Sequence, residues 1–262
     1  MSHPAPGQLR QVTEFAAVLL AHNPGPMTLD GTNTWLLGTG AERIVVDPGP
    51  GESAHLRQVA EQAEVPLVLL THHHFDHTEG VEEFVERSGA VVRALDPALC
   101  RGAEPFRDGE VVEAAGVRLT VLATPGHTKD SVCFRVEHGG GTAVLTGDTI
   151  LGRGTTVVAQ PDGHLGSYLE SLRALAELPA GTPGLPGHGP ELPDVAAAAR
   201  AYLEHRAQRL DQVREVVRQR GPQVTACEVV KVVYADVDPS VWPAAEWTVA
   251  AQLTYLAEQG EL

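Results

Sequence analysis

The chain has 262 residues, 43% of them hydrophobic, and a formal net charge of −15. That length supports one large domain, or one domain with a small appendage. Such a charge repels polyanions at long range and argues against generic binding to nucleic acid or anionic membranes.

The opening stretch, MSHPAPGQLRQVTEF, holds His3 and has no apolar core of signal-peptide length. Strands are predicted at Asn33–Gly38, Arg43–Val46, Pro66–Leu70, Val91–Ala94, Val117–Ala123, Ser131–Val136 and Ala143–Leu145. Val132, Phe134 and Val136 alternate with other residues as a half-buried strand does. HGGG at 138–141 reads as a hairpin turn between two of these runs. Helical patterns fall at Thr78–Arg87, with Thr78 as its cap, and at Ser167–Leu178, which has apolar spacings of three and four. Mixed strands and helices predict a layered α/β architecture. After Pro193 the texture changes. Residues 194–219 form one long helical pattern, with Leu203, Ala207, Leu210, Val213 and Val217 as its apolar stripe. Shorter helices follow around Cys227–Tyr234 and Ala244–Gln259. The expected division is a catalytic unit at 1–193 and a mostly helical module at 194–262. No apolar run reaches the roughly 18 residues of a membrane span. Cys100, Cys133 and Cys227 are scattered without a CxxC, which suits free thiols in a reducing cytoplasm. A soluble cytoplasmic protein is expected.

The densest signal is THHHFDHTEG at 71–80. His72 and His74 follow the apolar run PLVLL. On an extended strand end, residues two apart point the same way, so both rings can converge on one ion. Asp76 and His77 follow as the chain turns toward a helix and can face a second ion. Imidazole and carboxylate suit Zn²⁺ and related divalent ions, and a catalytic zinc normally takes three protein ligands. Further ligands must therefore come from other strand ends. His127 in TPGHT, Asp148 in TGD and His188 in PGHGP all follow or punctuate apolar runs.

The set His72-x-His74-x-Asp76-His77, His127, Asp148 and His188, together with VVDPG at 45–49, resembles the metallo-β-lactamase-fold hydrolase superfamily over about residues 12–190. The resemblance implies an αββα sandwich with its metals at one edge. Carried over by position, it implies that His72, His74 and His127 hold the first of two divalent ions. Asp76, His77 and His188 would hold the second, with Asp148 bridging both. Zinc is the default, with iron or manganese as alternatives. His73 matches no ligand position and is expected to turn away from the metals. Asp47 is read as a hydrogen-bond acceptor or turn residue, and His22, His55, His138 and His164 as solvent-exposed or rim histidines.

Two such ions can share a water and lower its pKa, so a metal-bridging hydroxide is the expected nucleophile, with Asp76 and Asp148 as the catalytic carboxylates. GxSxG is absent. Zinc β-lactamases usually carry Cys or Ser where Asp148 stands, so antibiotic hydrolysis is not expected. The THHHFDHTEG and TPGHT motifs also resemble glyoxalase II, but Lys129, Asp130 and Ser131 depart from its continuation. GTNTWLLG at 31–38, YLEHRAQRL at 202–210 and the C-terminal stretch look like the β-lactamase-like protein 2 subfamily, with a winged-helix-like module. That likeness implies either cleavage of single-stranded RNA or hydrolysis of a small acyl ester or thioester. A single-iron sulfur dioxygenase and a catalytically silent metal binder are the remaining alternatives.

Substrate contacts are sought in His205 and Arg206, with Lys129 and Tyr168 as further candidates. The helix at 200–220 carries Arg200, Arg206, Arg209, Arg214, Arg218 and Arg220. It reads either as a phosphate-contacting face or as a solvated helix whose arginines pair with nearby acids. The C-terminal module is expected to cap the cleft or to make a homodimer contact.

Overall fold

The computed structural model describes residues 5–262, so His3 lies outside the described residues. Strands β1 (Arg10–Thr13), β2 (Ala16–Leu20), β3 (Asn33–Leu37), β4 (Glu42–Val46), β5 (Glu64–Leu69) and β6 (Val91–Arg93) form one sheet in that order. Strands β7 (Val111–Ala114), β8 (Val117–Ala123), β9 (Val132–His138), β10 (Gly141–Gly147) and β11 (Gly184–Pro186) form a second, ordered β11-β10-β9-β8-β7. The helices are α1 (Ser53–Ala60), α2 (Phe75–Thr78), α3 (Val81–Ser88), α4 (Leu165–Ala176), α5 (Val195–Arg220), α6 (Ala226–Val233) and α7 (Trp242–Glu258).

Strand alternation explains why four layers form. Ile44, Val46, Leu67 and Leu69 of the first sheet share an apolar cluster with Val121, Phe134, Val136 and Leu145 of the second. Their out-of-phase neighbours Val45 and Val68 pack instead with Leu56 and Val59 of α1 and with Val81 and Phe84 of α3. On the second sheet, Cys133 and Val144 are out of phase with Phe134 and Leu145. They belong to one apolar cluster with Tyr168 and Leu172 of α4, Val213 of α5, Val229 of α6 and Leu256 of α7. Each strand of this kind is apolar on both faces because each face meets a different layer. The result is the αββα sandwich that the resemblance implied. The C-terminal helices share an apolar core with the second sheet. Among the described residues, no helix is long and apolar enough to cross a membrane.

Several elements differ from the sequence reading. β1, β2, β7, β11 and α1 were not anticipated. β2, AAVLL, is buried throughout, and a short run of uniform hydrophobicity has no period to separate strand from helix. Thr78 does not cap the helix that follows it. It closes α2, its hydroxyl donating to the carbonyls of His73 (3.2 Å) and His74 (3.0 Å). The chain instead turns at Gly80, where a Cβ would lie 2.6 Å from Leu56 Cδ2. Only glycine fits that approach, and α3 starts after it.

Candidate metal centre

The ends of β5, β8, β10 and β11 lead directly into the segments bearing His72–His77, His127, Asp148 and His188. These segments meet at one edge of the sandwich. His74 Nδ1 lies 3.1 Å from His72 Nε2 and 3.1 Å from His127 Nε2. Asp76 Oδ2 lies 3.0 Å from His188 Nε2 and 3.3 Å from His77 Nε2, and the two Nε2 atoms are 3.3 Å apart. Asp148 stands between the groups. Its Oδ1 is 3.6 Å from His77 Nε2, and its Oδ2 is 3.3 Å from His188 Nε2 and 3.8 Å from His127 Nε2.

These residues fit a pair of divalent ions. Two nitrogens at ~2.0–2.1 Å from a tetrahedral zinc would themselves be ~3.3 Å apart, close to the separations seen. Asp148 Oδ1 is buried without a hydrogen-bond partner, as a carboxylate oxygen meant for a cation would be. Gly187 leaves the space open, because a Cβ there would lie 2.5 Å from that oxygen and 2.8 Å from His77 Cε1.

A set of contacts behind the ligands fixes their orientation. Asp47 accepts from His77 Nδ1 (2.9 Å), from the Thr71 amide (2.8 Å) and from the Thr71 hydroxyl (2.7 Å). The Thr71 hydroxyl also lies 3.0 Å from His72 Nδ1. His127 Nδ1 donates to the Val157 carbonyl (2.8 Å), and His188 Nδ1 to the Gly31 carbonyl (3.1 Å). Both Nε2 atoms are thereby left to face the centre. Asn33, in the GTNTWLLG stretch, donates to the carbonyls of Pro186 (3.0 Å) and Gly189 (2.9 Å) and so holds the His188 loop. The sequence reading had not given Asn33 a role.

The two triads differ electrostatically before any metal binds. Burial pushes His74 down to about 4. It pushes His72 well below the ordinary imidazole value and His127 below it too. Burial also opposes charge on His188, but the carboxylates of Asp148 and Asp76 outweigh it and hold the ring up to about 9. His77 is likewise held well above its usual range, because Asp76, Asp148 and Asp47 overcome its burial. Near neutral pH the first triad is therefore already unprotonated, while His77 and His188 carry protons that a metal must displace. Affinity for the second ion should rise as pH rises above neutrality, since both His77 and His188 must lose a proton. The first should bind without proton release near neutrality. Calorimetry in buffers of different ionisation heat measures this, and equal proton release for both ions would contradict it.

A family model for the metallo-β-lactamase superfamily matches residues 27–188, which contain every ligand candidate above. The chain belongs to the metallo-β-lactamase superfamily. A second model, the β-lactamase-associated winged helix domain, matches residues 225–261, the span of α6 and α7. The superfamily chain is 34% identical over 273 residues to a β-lactamase-like protein 2 homolog of Drosophila melanogaster, covering 96% of this chain and 91% of that protein. It is 36% identical over 228 residues to the lactamase-like protein adaB of Aspergillus niger, covering 84% of this chain and 69% of that one. A β-lactamase domain protein from Burkholderia ambifaria shares the fold, with a TM-score of 0.86 at 23% identity, over 100% of this chain and 91% of that structure.

The remaining sequence candidates are not members of the two triads. Lys129 is exposed. His205 is half-buried and lines a cleft of ≈ 240 Å³ with Thr156, Val157, Arg206, Arg209 and Tyr234. Burial, with Arg206 and Arg209 beside it, lowers its pKa. Tyr168 needs correction as a substrate contact, while Arg206 borders the same cleft as His205 but is almost wholly buried. Tyr168 is fully buried, and its hydroxyl donates to the Thr149 carbonyl (2.7 Å). Arg206 is 2% exposed, donates to the Thr156 carbonyl and lies over the Tyr168 ring. Both instead pin the loop between Asp148 and Val157, the latter being the residue that orients His127. Arg206→Ala should cost about 2–3 kcal/mol of stability, read as a lower denaturant midpoint. Unchanged stability with a raised KM would restore the substrate-contact role.

His55 is also corrected. It is buried, hydrogen-bonded to Thr34 Oγ1 (2.9 Å), and pushed down to about 4 by burial. His22 and His164 are exposed and His138 is half-buried. His164 caps α4 and pairs with Glu258 of α7 (3.1 Å). Phe75, which the sequence reading passed over, is 82% exposed between His74 and Asp76.

Proposed function

We propose that this chain is a dinuclear zinc hydrolase acting on small acyl esters or thioesters. The observation that carries the reading is the pair of ligand triads separated by Asp148. His72, His74 and His127 would hold one ion, Asp76, His77 and His188 the other, and Asp148 would serve both. When bound, such ions lower the pKa of a shared water toward neutrality and polarise the electrophile. The chain's own residues hold this machinery still. Asp47 and the carbonyls of Val157 and Gly31 fix His77, His127 and His188 so that no ligand must reorganise during reaction. Asp76 and Asp148 supply the negative charge that two divalent ions require.

The choice of an acyl substrate over RNA rests on where the α5 arginines go. Arg200 donates to the Ala176 carbonyl, Arg209 to the Val233 carbonyl, and Arg206 is buried. Arg214 pairs with Glu261 and Asp211, and Arg218 with Glu215. Five of the six arginines are thus engaged within the protein, Arg220 being the sixth, which reduces the free positive face that phosphate recognition requires. Phe75 offers an acyl chain an apolar surface beside the ligands. Among the described large hydrophobic residues it is the most exposed.

The test is turnover of an acyl thioester beside a fluorescent single-stranded RNA by the zinc-loaded protein. Thioester hydrolysis with intact RNA is expected. RNA cleavage without thioester turnover would overturn the reading. Phe75→Ala should lower kcat/KM for the thioester roughly tenfold, the scale of one lost apolar contact of about 1.4 kcal/mol. Metal content should not change, and an unaltered kcat/KM would remove Phe75 from the substrate's path.

A further inference from the structure

His73, which the metal triads leave out, belongs to a cluster of its own. Its Nδ1 lies 2.7 Å from Asp130 Oδ1, and its Nε2 lies 3.8 Å from Asp162 Oδ2. One ligand atom from each of these three residues can be chosen so that all lie within 4.8 Å of one another. The Asp130 side chain is 5% exposed, while those of His73 and Asp162 are 35% and 29% exposed. The group is thus closed on the Asp130 side and open to water on the other.

Hydrogen bonding does not account for this cluster. Donation from His73 to Asp130 satisfies one carboxylate oxygen. Asp130 Oδ2 and Asp162 Oδ2 are buried and have no hydrogen-bond partner. Buried carboxylate oxygens are costly to leave unpaired, and an ion is a recognised occupant of such places. Charge points the same way. Two carboxylates flank one imidazole, Asp130 at Nδ1 and Asp162 at Nε2, and neither forms an ion pair with any lysine or arginine among the described residues. Lys129, next to Asp130 in sequence, is exposed and pairs with neither. All this occurs in a chain whose net charge is already −15.

We infer that His73, Asp130 and Asp162 form an accessory site for a third divalent cation. The cation takes an imidazole nitrogen and an oxygen from each carboxylate, and water fills its open side. An oxygen-dominated set with exchangeable water suits Mn²⁺ or Mg²⁺ better than the nitrogen-rich first triad does. The His73 and His74 rings stand 5.1 Å apart, edge to face. The accessory cation therefore sits at the rim of the proposed catalytic centre, where it offsets the acidic surface and can meet an anionic group on a substrate.

The test uses the full chain, first analysed for zinc and then titrated with Mn²⁺ while free Mn²⁺ is followed by electron paramagnetic resonance. Zinc resists displacement from the triads, since it binds such ligands more tightly than Mn²⁺. Wild type is expected to take up one Mn²⁺ per chain beyond its zinc. The paired Asp130→Asn and Asp162→Asn variant should lose that uptake and keep its zinc. Asp162→Asn alone, at a partly exposed turn, should weaken uptake at least about tenfold and guards against misfolding of the pair. No Mn²⁺ uptake by wild type up to millimolar concentration, or equal uptake by the variants, would overturn the site. The zinc content read beforehand tests the dinuclear centre separately, so the two failures are distinguishable.

Discussion

Replacing Asp148 with Asn is expected to abolish turnover and lower metal content while leaving the sandwich folded. Asp148 follows the last residue of β10, and both its oxygens face ligand histidines. Asparagine keeps the volume but removes the charge, and it turns one acceptor into a donor aimed at positions meant for cations. The expected loss in kcat/KM is at least about a thousandfold, equivalent to about 4 kcal/mol of transition-state stabilisation. The Asp148 oxygens lie nearer His77 (3.6 Å) and His188 (3.3 Å) than His127 (3.8 Å), so the first ion should be retained better than the second. The unfolding midpoint should move far less than activity does. Elemental analysis and kinetics on the same preparation check this, and full activity in the variant would refute the bridging role.

Gly187→Ala should be nearly as damaging, although it adds one methyl group. The new Cβ would lie 2.5 Å from Asp148 Oδ1, 2.8 Å from His77 Cε1 and 3.2 Å from the Gly147 carbonyl carbon. The backbone has little freedom to withdraw. The Gly187 amide donates to the Gly147 carbonyl (2.9 Å), and its carbonyl accepts from the Asn33 amide (2.8 Å). The methyl group must therefore displace Asp148 or His77. Overpacking of this kind costs about 1–3 kcal/mol in stability. The larger effect should be on the second ion, with activity falling at least about a hundredfold, the scale of a displaced ligand. Two retained metals with near wild-type rates would show that the centre tolerates crowding and that the ligand positions are wrong.

Metal chemistry was legible in the sequence because each candidate ligand sits in a short motif at the end of an apolar run. His72, His127, Asp148 and His188 are far apart in the chain, but a sheet fold delivers strand ends to a common edge. The alternation of Val132, Phe134 and Val136 likewise predicted a half-buried strand, and these three residues face the inter-sheet core, while Cys133 on the other face is buried as well. What escaped depends on contacts between distant segments. Asn33 reads as an ordinary strand residue until Pro186 and Gly189 come beside it. Arg206 reads as one of several helix arginines, and its burial depends on α4 and the loop after Asp148. The AAVLL strand has no period to read, since both its faces are covered. His73 was expected to turn away from the metals, but no local spacing links it to Asp130 and Asp162.

Metal content per chain, measured by elemental analysis on protein purified without added metal, tests the central claim most directly when paired with thioester turnover. The account predicts close to two zinc ions per chain in active protein, with the second lost first in the Asp148→Asn variant. A single iron per chain, with no hydrolysis of thioester or RNA, would contradict it and return the centre to redox chemistry.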